Sequence, residues 1–484
     1  MIGIELNEEN FEYDIYSLIK AFYPAEEVTR VSGDCDGMRV KVEYQPIAIT
    51  VEFHEAAKEN SLAAKTISET VAIEGLERKE VKSVLKQALY RVLSEKTGKT
   101  LPWGTLTGIR PTKIPFAMLS EGKSEEEIAA YMKETYLAGD EKTALSIEIA
   151  KREQEILKNI DYKDGYSLYV GIPFCPTRCL YCSFTAYPLK VWEKQVDTYV
   201  EALCKEIRYV AEKMKHRKLN TVYIGGGTPT TLNPVQLDKL LTTLKESFDY
   251  TYNQEFTVEA GRPDSITEEK LLMLKKHGID RISVNPQTMN QRTLDLIGRK
   301  HTVEQTKEAF LLARKCGFTN INMDLISGLP GESRADMEYT MQEIAKLKPD
   351  SVTVHALAIK RASRLNELWE QYKDQTGTLD EETARMMERY TREMGLLPYY
   401  LYRQKNMAGN LENVGYAGLD KAGIYNILIM EEKQTIIAVG AGAMTKLVYD
   451  GGERIERIEN VKDVGQYIER IDEMLLRKRD IEGE

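Results

Sequence analysis

The chain has 484 residues, 42% hydrophobic and 29% charged, with six cysteines and a formal net charge of −10. That length allows substantial cores in two or three domains; the acidic balance gives no basic field for nucleic acid, and no run of 18 apolar residues offers a membrane span. The first ten residues lack the basic and apolar parts of a secretory leader, and so few cysteines suit a reducing compartment rather than a disulfide framework, so a cytoplasmic protein is expected.

Residues 1–160 read as an α/β module. Strands at 38–44 and 47–53 form a hairpin across Gln45-Pro46, and 77–96 has the spacing of an amphipathic helix. The run 101–113 is dense in Gly, Pro and Thr and reads as an ordered loop. It is either a plain linker or a cover for an anionic substrate built on Trp103, Arg110 and Lys113. From 167 onward short β-branched runs alternate with longer amphipathic ones, with strands at 167–171, 221–224, 255–259, 281–285, 320–326 and 351–357. Helical patterns such as 193–213, 234–247 and 303–316 lie between them. Six such repeats predict an α/β fold with a partial (β/α)6 barrel over 161–365, whose working groups sit at the C-terminal strand ends. Residues 366–484 read as a C-terminal α+β section, with helices near 381–394 and 461–477 and a strand pair near 424–430 and 434–439.

Cys175, Cys179 and Cys182 follow the first barrel strand with the spacing C-x3-C-x2-C. Thiolates hold iron–sulfur clusters, and three ligands on a four-iron cluster leave one iron able to take a small molecule. Two plainer readings stand beside this one, three buried cysteines or a zinc site. Structural zinc usually takes four ligands, and the motif contains no histidine. Cys35, Cys204 and Cys316 read as bystanders, the last two in helical patterns. The second motif, Gly225-Gly226-Gly227-Thr228-Pro229-Thr230, follows the second strand. Glycines let backbone carbonyls approach a ligand ammonium, although such a run also marks an ordinary tight bend. A Walker-type phosphate loop is disfavoured, because no Gly-Lys-Ser/Thr follows.

The cysteine spacing resembles the signature of radical S-adenosylmethionine (SAM) enzymes, in which SAM chelates the open iron of a [4Fe–4S] cluster. Together with the glycine run, Arg281-Ile-Ser-Val-Asn-Pro-Gln287, Ile297-Gly-Arg299 and Asp324-Leu-Ile-Ser-Gly-Leu-Pro330, it resembles the oxygen-independent coproporphyrinogen III oxidase family, most closely its HemZ branch. The resemblance implies a radical SAM oxidoreductase of haem biosynthesis that decarboxylates coproporphyrinogen III to protoporphyrinogen IX. It would carry one [4Fe–4S] cluster and one or two SAM molecules, and take electrons from a donor such as flavodoxin or ferredoxin. Residue by residue, it puts Cys175, Cys179 and Cys182 on the cluster and Tyr169, Gly226 and Glu259 on the radical-forming SAM. Tyr181, Gly227, Thr228, Gln287, Arg299, Asp324 and Ala356 match positions that contact a second SAM.

On chemistry alone, Glu259 is either a solvated carboxylate or an acceptor for a ribose diol or amino group. Arg299 is either a surface residue or a planar donor fork for a carboxylate. Asp324 lies between apolar strand neighbours, where a carboxylate is costly unless partnered. A tetrapyrrole with four propionates needs cations, for which Lys360, Arg361, Arg364, Arg403, Lys405, Arg110 and Lys113 are candidates. Two positions depart from the oxidase, which has His where Gly171 stands and Cys where Phe184 stands. The Cys182-Ser-Phe184 ending resembles the related haem chaperones instead, and an anaerobic haem-degrading radical SAM methyltransferase is a third alternative.

Overall fold

The computed structural model describes residues 1–24, 26–32, 37–55, 66–108, 110–184, 186–375, 377–404 and 411–482. They divide into two compact units, residues 1–151 with 402–412, and residues 152–401 with 413–484.

The first unit contains β1 (Ile2–Leu6), α1 (Glu12–Phe22), β2 (Val28–Arg30), β3 (Met38–Tyr44), β4 (Ala48–Glu55), β5 (Thr66–Ala72) and α2 (Arg78–Thr97). Its sheet has the order β2-β1-β3-β4-β5, parallel around β1 and antiparallel from β3 onward. Alternation along β4 sends Ile49, Val51 and Phe53 into one core with Ile15 and Leu18 of α1 and Leu85, Leu89 and Leu93 of α2. The expected hairpin and helix are therefore present. Trp103 corrects an expectation, because it is fully buried and donates from Nε1 to Glu412 at 2.8 Å, while Glu412 pairs with Lys142 at 2.5 Å. An indole enclosed with its N–H satisfied is a core residue, not a substrate cover.

The second unit is built on β6 (Gly165–Ile172), a short ribbon of β7 (Phe174–Cys175) and β8 (Tyr187–Pro188), then β9 (Lys218–Gly226), β10 (Glu255–Glu259), β11 (Arg281–Ser283), β12 (Ile321–Ser327) and β13 (Ser351–Ala356). Strands β6, β9, β10, β11, β12 and β13 lie side by side in that order, all parallel. β6 and β12 have no exposed residue, as parallel strands covered on both faces require. The crossover helices supply the cover. Val196–Met214 buries Val196, Val200, Leu203, Ile207, Val210 and Met214 along one stripe. Pro234–Ser247 opens on a reciprocal cap between Asn233 and Gln236, with proline in the first turn. This is the expected barrel-like α/β fold. Cys204 is buried within its helix, Cys316 ends the helix Val303–Lys315, and Cys35 lies outside the described residues.

Five later strands, β14 (Leu397–Tyr402), β15 (Asn413–Ala417), β16 (Thr435–Val439), β17 (Met444–Tyr449) and β18 (Arg454–Glu459), join the same sheet. β15 runs antiparallel to β13 and β16 parallel to β6, so residues from 413 onward are hydrogen-bonded to both edges of the parallel strands. The strand expected near 424–430 is a helix, Ile424–Glu431, which buries Tyr425, Ile427, Leu428 and Glu431. A short unbroken apolar run has no period to separate the two, and this one folds at helical spacing. The helix expected at 461–477 is broken at Arg470 into Val464–Glu469 and Ile471–Arg477.

This closing segment is keyed to the barrel by Glu206. Its fully buried carboxylate accepts from Lys478 Nζ at 2.8 Å, Asn460 Nδ2 at 2.8 Å, Tyr467 OH at 2.6 Å and Gly440 N at 2.9 Å. Removing one partner of a buried pair strands the other charge, which costs about 3–5 kcal/mol. Lys478→Met is therefore expected to lower the urea-unfolding stability of this unit by that amount, and Lys478→Met with Glu206→Gln to recover part of it. A loss below about 1 kcal/mol, the scale of an exposed pair, would show that the network does not key the segment.

Candidate functional site

The C-terminal ends of the parallel strands gather the sequence-predicted residues. The cysteine loop leaves β6 and is pinned from two later segments. Leu180 N donates to Ile297 O at 2.9 Å and Thr177 Oγ1 to Gly298 O at 3.1 Å, while Leu365 N donates to Leu180 O at 2.8 Å. The glycine run continues the β6–β9 pairing past the strand ends, with Gly227 N donating to Ile172 O and Thr228 N to Phe174 O, both at 2.7 Å. This brings Thr228 Oγ1 to 3.5 Å from Cys175 Sγ. A Cβ on Gly227 would stand 2.6 Å from Phe174 O and 3.0 Å from Cys175 Sγ, so only glycine fits. Gly226 has φ +109, which also favours glycine.

Beside this loop, Glu259 ends β10 and accepts from Tyr223 OH at 2.6 Å. Tyr223 stacks on Tyr425 at 4.5 Å between ring centroids, and Tyr169 stacks on both at 6.3 and 6.4 Å. Three rings therefore wall the carboxylate. Desolvation pushes the Glu259 carboxyl up to about 7, with Asp324 adding to the rise while the Tyr223 hydroxyl and Gly226 N–H oppose it. Asp324 accepts from Asn322 Nδ2 at 2.7 Å and lies 4.0 Å from His355 Nε2, the partners its strand position demanded.

A second polar group lies nearer the cysteines. Arg299, 4% exposed, donates to Asn285 O at 2.5 Å and Gly261 O at 3.1 Å, and its buried Nε has no protein partner. The expected free fork is thus half committed to backbone. Gln287 is held at φ 70, with its backbone bridging β11 to β12 through Asp324 O and Ile326 N. Its side-chain amide has no hydrogen bond among the described residues. A non-glycine residue in this region is strained, and such strain collects at ligand sites. Tyr181 is coupled electrostatically to Arg299, Cys179 and Cys182, and Ala356 closes β13 with its N–H on Asn413 Oδ1 at 2.8 Å.

These donors fit an iron–sulfur cluster and a polar organic ligand. Three thiols share one pinned loop, where burial pushes the Cys175 thiol up to about 11 and raises that of Cys182; a bound metal would hold such groups as thiolates. Among the described residues no three His, Cys, Asp or Glu side chains converge as a single-ion site requires. The unpartnered Arg299 Nε and Gln287 amide are donors awaiting an acceptor.

Residues 169–344 match the radical SAM superfamily. The oxygen-independent coproporphyrinogen-III oxidase-like protein HemZ of Bacillus subtilis (strain 168) is 46% identical over 401 residues, which span 81% of this chain and 79% of that protein. The chain belongs to the radical SAM family, in its HemZ branch. Members of this family use a [4Fe–4S] cluster and SAM. The heme chaperone HemW of the same organism is 34% identical over 63% of this chain and 76% of its own. Coproporphyrinogen III oxidase (HemN) from Escherichia coli, a radical SAM enzyme, superposes with a TM-score of 0.52 at 23% identity over 66% of this chain and 73% of its own, which shows the shared fold. Among the described residues no helix is long and apolar enough to cross a membrane.

Of the expected cations, Lys360 has Nζ 5.7 Å from the Phe184 ring, and Arg361 and Arg364 are exposed just beyond it. Arg403 belongs to the first unit, where it is buried, donates to Leu106 O and packs on Trp103, so it does not present an open cation. Arg110 and Lys113 belong to that unit too, and Lys405 lies outside the described residues. Tyr223, Tyr425, His355 and Arg262 were not singled out from the sequence. Tyr223 and His355 occupy the register beside named strand-end residues, a signal that was available, whereas Tyr425 arrives from a helix far along the chain.

The Glu259 shift carries a sign. A carboxyl whose folded pKa exceeds its unfolded value near 4.5 stabilises the ligand-free fold fully below that pH and loses the contribution as pH rises through about 7. Ligand-free wild type is expected to lose Tm across that window, and Glu259→Gln to lose less. Equal slopes in the two proteins would show that Glu259 is not desolvated.

Proposed function

We propose that the chain removes two propionate carboxylates of coproporphyrinogen III oxidatively, giving the vinyl groups of protoporphyrinogen IX, in the cytoplasm and without oxygen. Supplied with an electron by a flavodoxin- or ferredoxin-type donor, the cluster with bound SAM would provide a 5′-deoxyadenosyl radical as hydrogen-abstracting reagent, and each substrate radical would lose CO2 and pass its remaining electron to a one-electron acceptor. The protein's share is position and exclusion of water. Cys175, Cys179 and Cys182 would hold the cluster. Glu259 and the backbone at Gly226 would receive the ammonium or ribose hydroxyls of SAM, with Tyr169, Tyr223 and Tyr425 shielding that carboxylate. Tyr181, Gly227, Thr228, Gln287, Arg299, Asp324 and Ala356 would line a second polar cradle, and Lys360 would meet a propionate.

The observation that carries this reading is the buried, unpartnered Nε of Arg299 beside Tyr181 and the cysteine loop, a donor for a carboxylate distinct from the Glu259 side. The likeness to HemZ supports the same substrate class. A second reading, a haem-binding chaperone, is favoured by Phe184, which stands 65% exposed two residues after Cys182. Under the first reading, reconstituted protein given SAM, reductant and coproporphyrinogen III should release CO2 and pass through a three-propionate intermediate. One 5′-deoxyadenosine should accompany each CO2, apart from uncoupled cleavage. Arg299→Met should weaken SAM binding by roughly tenfold or more, the worth of one charge-assisted contact, with iron content intact. Stable haem binding with no change of tetrapyrrole mass would instead select the chaperone.

A further inference from the structure

We propose that Arg262 sets the reduction potential of the cluster by directing a cationic hydrogen bond at the sulfur of Cys179. This goes beyond the choice of substrate, and it rests on the reading that the three cysteines hold the cluster. Arg262 is 3% exposed and lies in the bend 261–265 that follows β10. Pro263 confines it to an extended backbone, φ −122 and ψ 112, and the bend is closed by Ser265 N and Oγ on Arg262 O at 2.9 and 2.7 Å. The side chain reaches the cysteine loop, with Nη1 3.1 Å from Thr177 Oγ1 and 3.8 Å from Cys179 Sγ. Its other edge is chelated by Asp264, Nε to Oδ1 at 3.0 Å and Nη2 to Oδ2 at 2.8 Å.

That orientation is over-determined. The two bonds to Asp264 fix the plane of the guanidinium, and Thr177 fixes which nitrogen faces the sulfur. Arg178 and Arg299 act on Cys182 through space, and Thr228 touches Cys175 as a neutral group. Among the described residues Arg262 is the charged group that donates to a motif sulfur. Cluster potentials follow net charge and the hydrogen bonds to sulfur, and adding an electron to a thiolate-bound cluster increases the negative charge that such a donor stabilises. Arg262 therefore favours the reduced cluster. Asp264 tempers it, because its carboxylate cancels part of the guanidinium charge while aiming it. Glu259 ends the strand that leads into this bend, and Gly261 O accepts from Arg299, so one connection joins both candidate SAM-binding groups to the electronic tuning of the cluster.

The experiment is a redox titration followed by electron paramagnetic resonance on anaerobically reconstituted wild type, Arg262→Gln, Arg262→Lys and Asp264→Asn, without SAM and with iron and sulfide measured in each. Arg262→Gln is expected to lower the midpoint so that the reduced-to-oxidised ratio at a fixed potential falls about tenfold, which is 59 mV for one electron. Arg262→Lys should fall between the two, and Asp264→Asn should move the midpoint the other way. A purely structural Arg262 would lose iron on substitution and leave the Asp264→Asn midpoint where wild type has it, which would overturn the proposal, as would full clusters with unchanged midpoints in all variants. Failure of wild type itself to take up a [4Fe–4S] cluster would overturn the cysteine reading along with it.

Discussion

Two backbone hydrogen bonds, Gly227 N to Ile172 O and Thr228 N to Phe174 O, hold the functional end of this molecule together. They carry the pairing of β6 and β9 beyond the point where the strands would part, and so dock the start of the cysteine loop on the glycine run. The approach leaves no room for a side chain at 227, and the two motifs that stand 43 residues apart in sequence become one surface. Further contacts build outward from it: Thr228 against Cys175, Tyr169 and Tyr223 in stacked register on β6 and β9, and Glu259 beneath Tyr223 on the next strand.

Several charged groups lie inside the parallel strands. Arg281 is 2% exposed and donates to Ser351 Oγ at 3.0 Å, and Glu255 accepts from Thr257 Oγ1 at 2.8 Å and from the N–H of Ile424. Burial raises the pKa of Glu255 while the Arg281 charge holds it down. Such groups cost free energy unless each is bonded. Most here are bonded to one another, while Arg281 Nε, Ser283 Oγ, Ser327 Oγ and Arg299 Nε are among the buried atoms with no protein partner.

Much of this was legible in the sequence, and the failures are instructive. The six parallel strands showed themselves because β-branched runs such as Val222-Tyr-Ile224 and Ser351-Val-Thr-Val-His-Ala356 alternate with helices of clear period, and the motifs fall at their ends by topology alone. The run Ile424–Glu431 was misread because eight largely apolar residues carry no period that separates strand from helix. The run holding Trp103 reads from sequence as either a plain linker or a substrate cover with Arg110 and Lys113, but Glu412, 309 residues away, gives the indole N–H a partner and draws it inside. Arg262 was invisible for a related reason. An arginine before a proline reads as loop, and only the bend after β10 shows that it ends at the Cys179 sulfur.

On the proposed function, the cysteine loop and glycine run would hold a cluster with one iron open to SAM. Electron–nuclear double resonance on the reduced, reconstituted protein with SAM isotopically labelled at its amino nitrogen and carboxylate tests it most directly. Hyperfine coupling from both labels to the cluster is expected. A full [4Fe–4S] complement with bound SAM and no coupling from either label would contradict it.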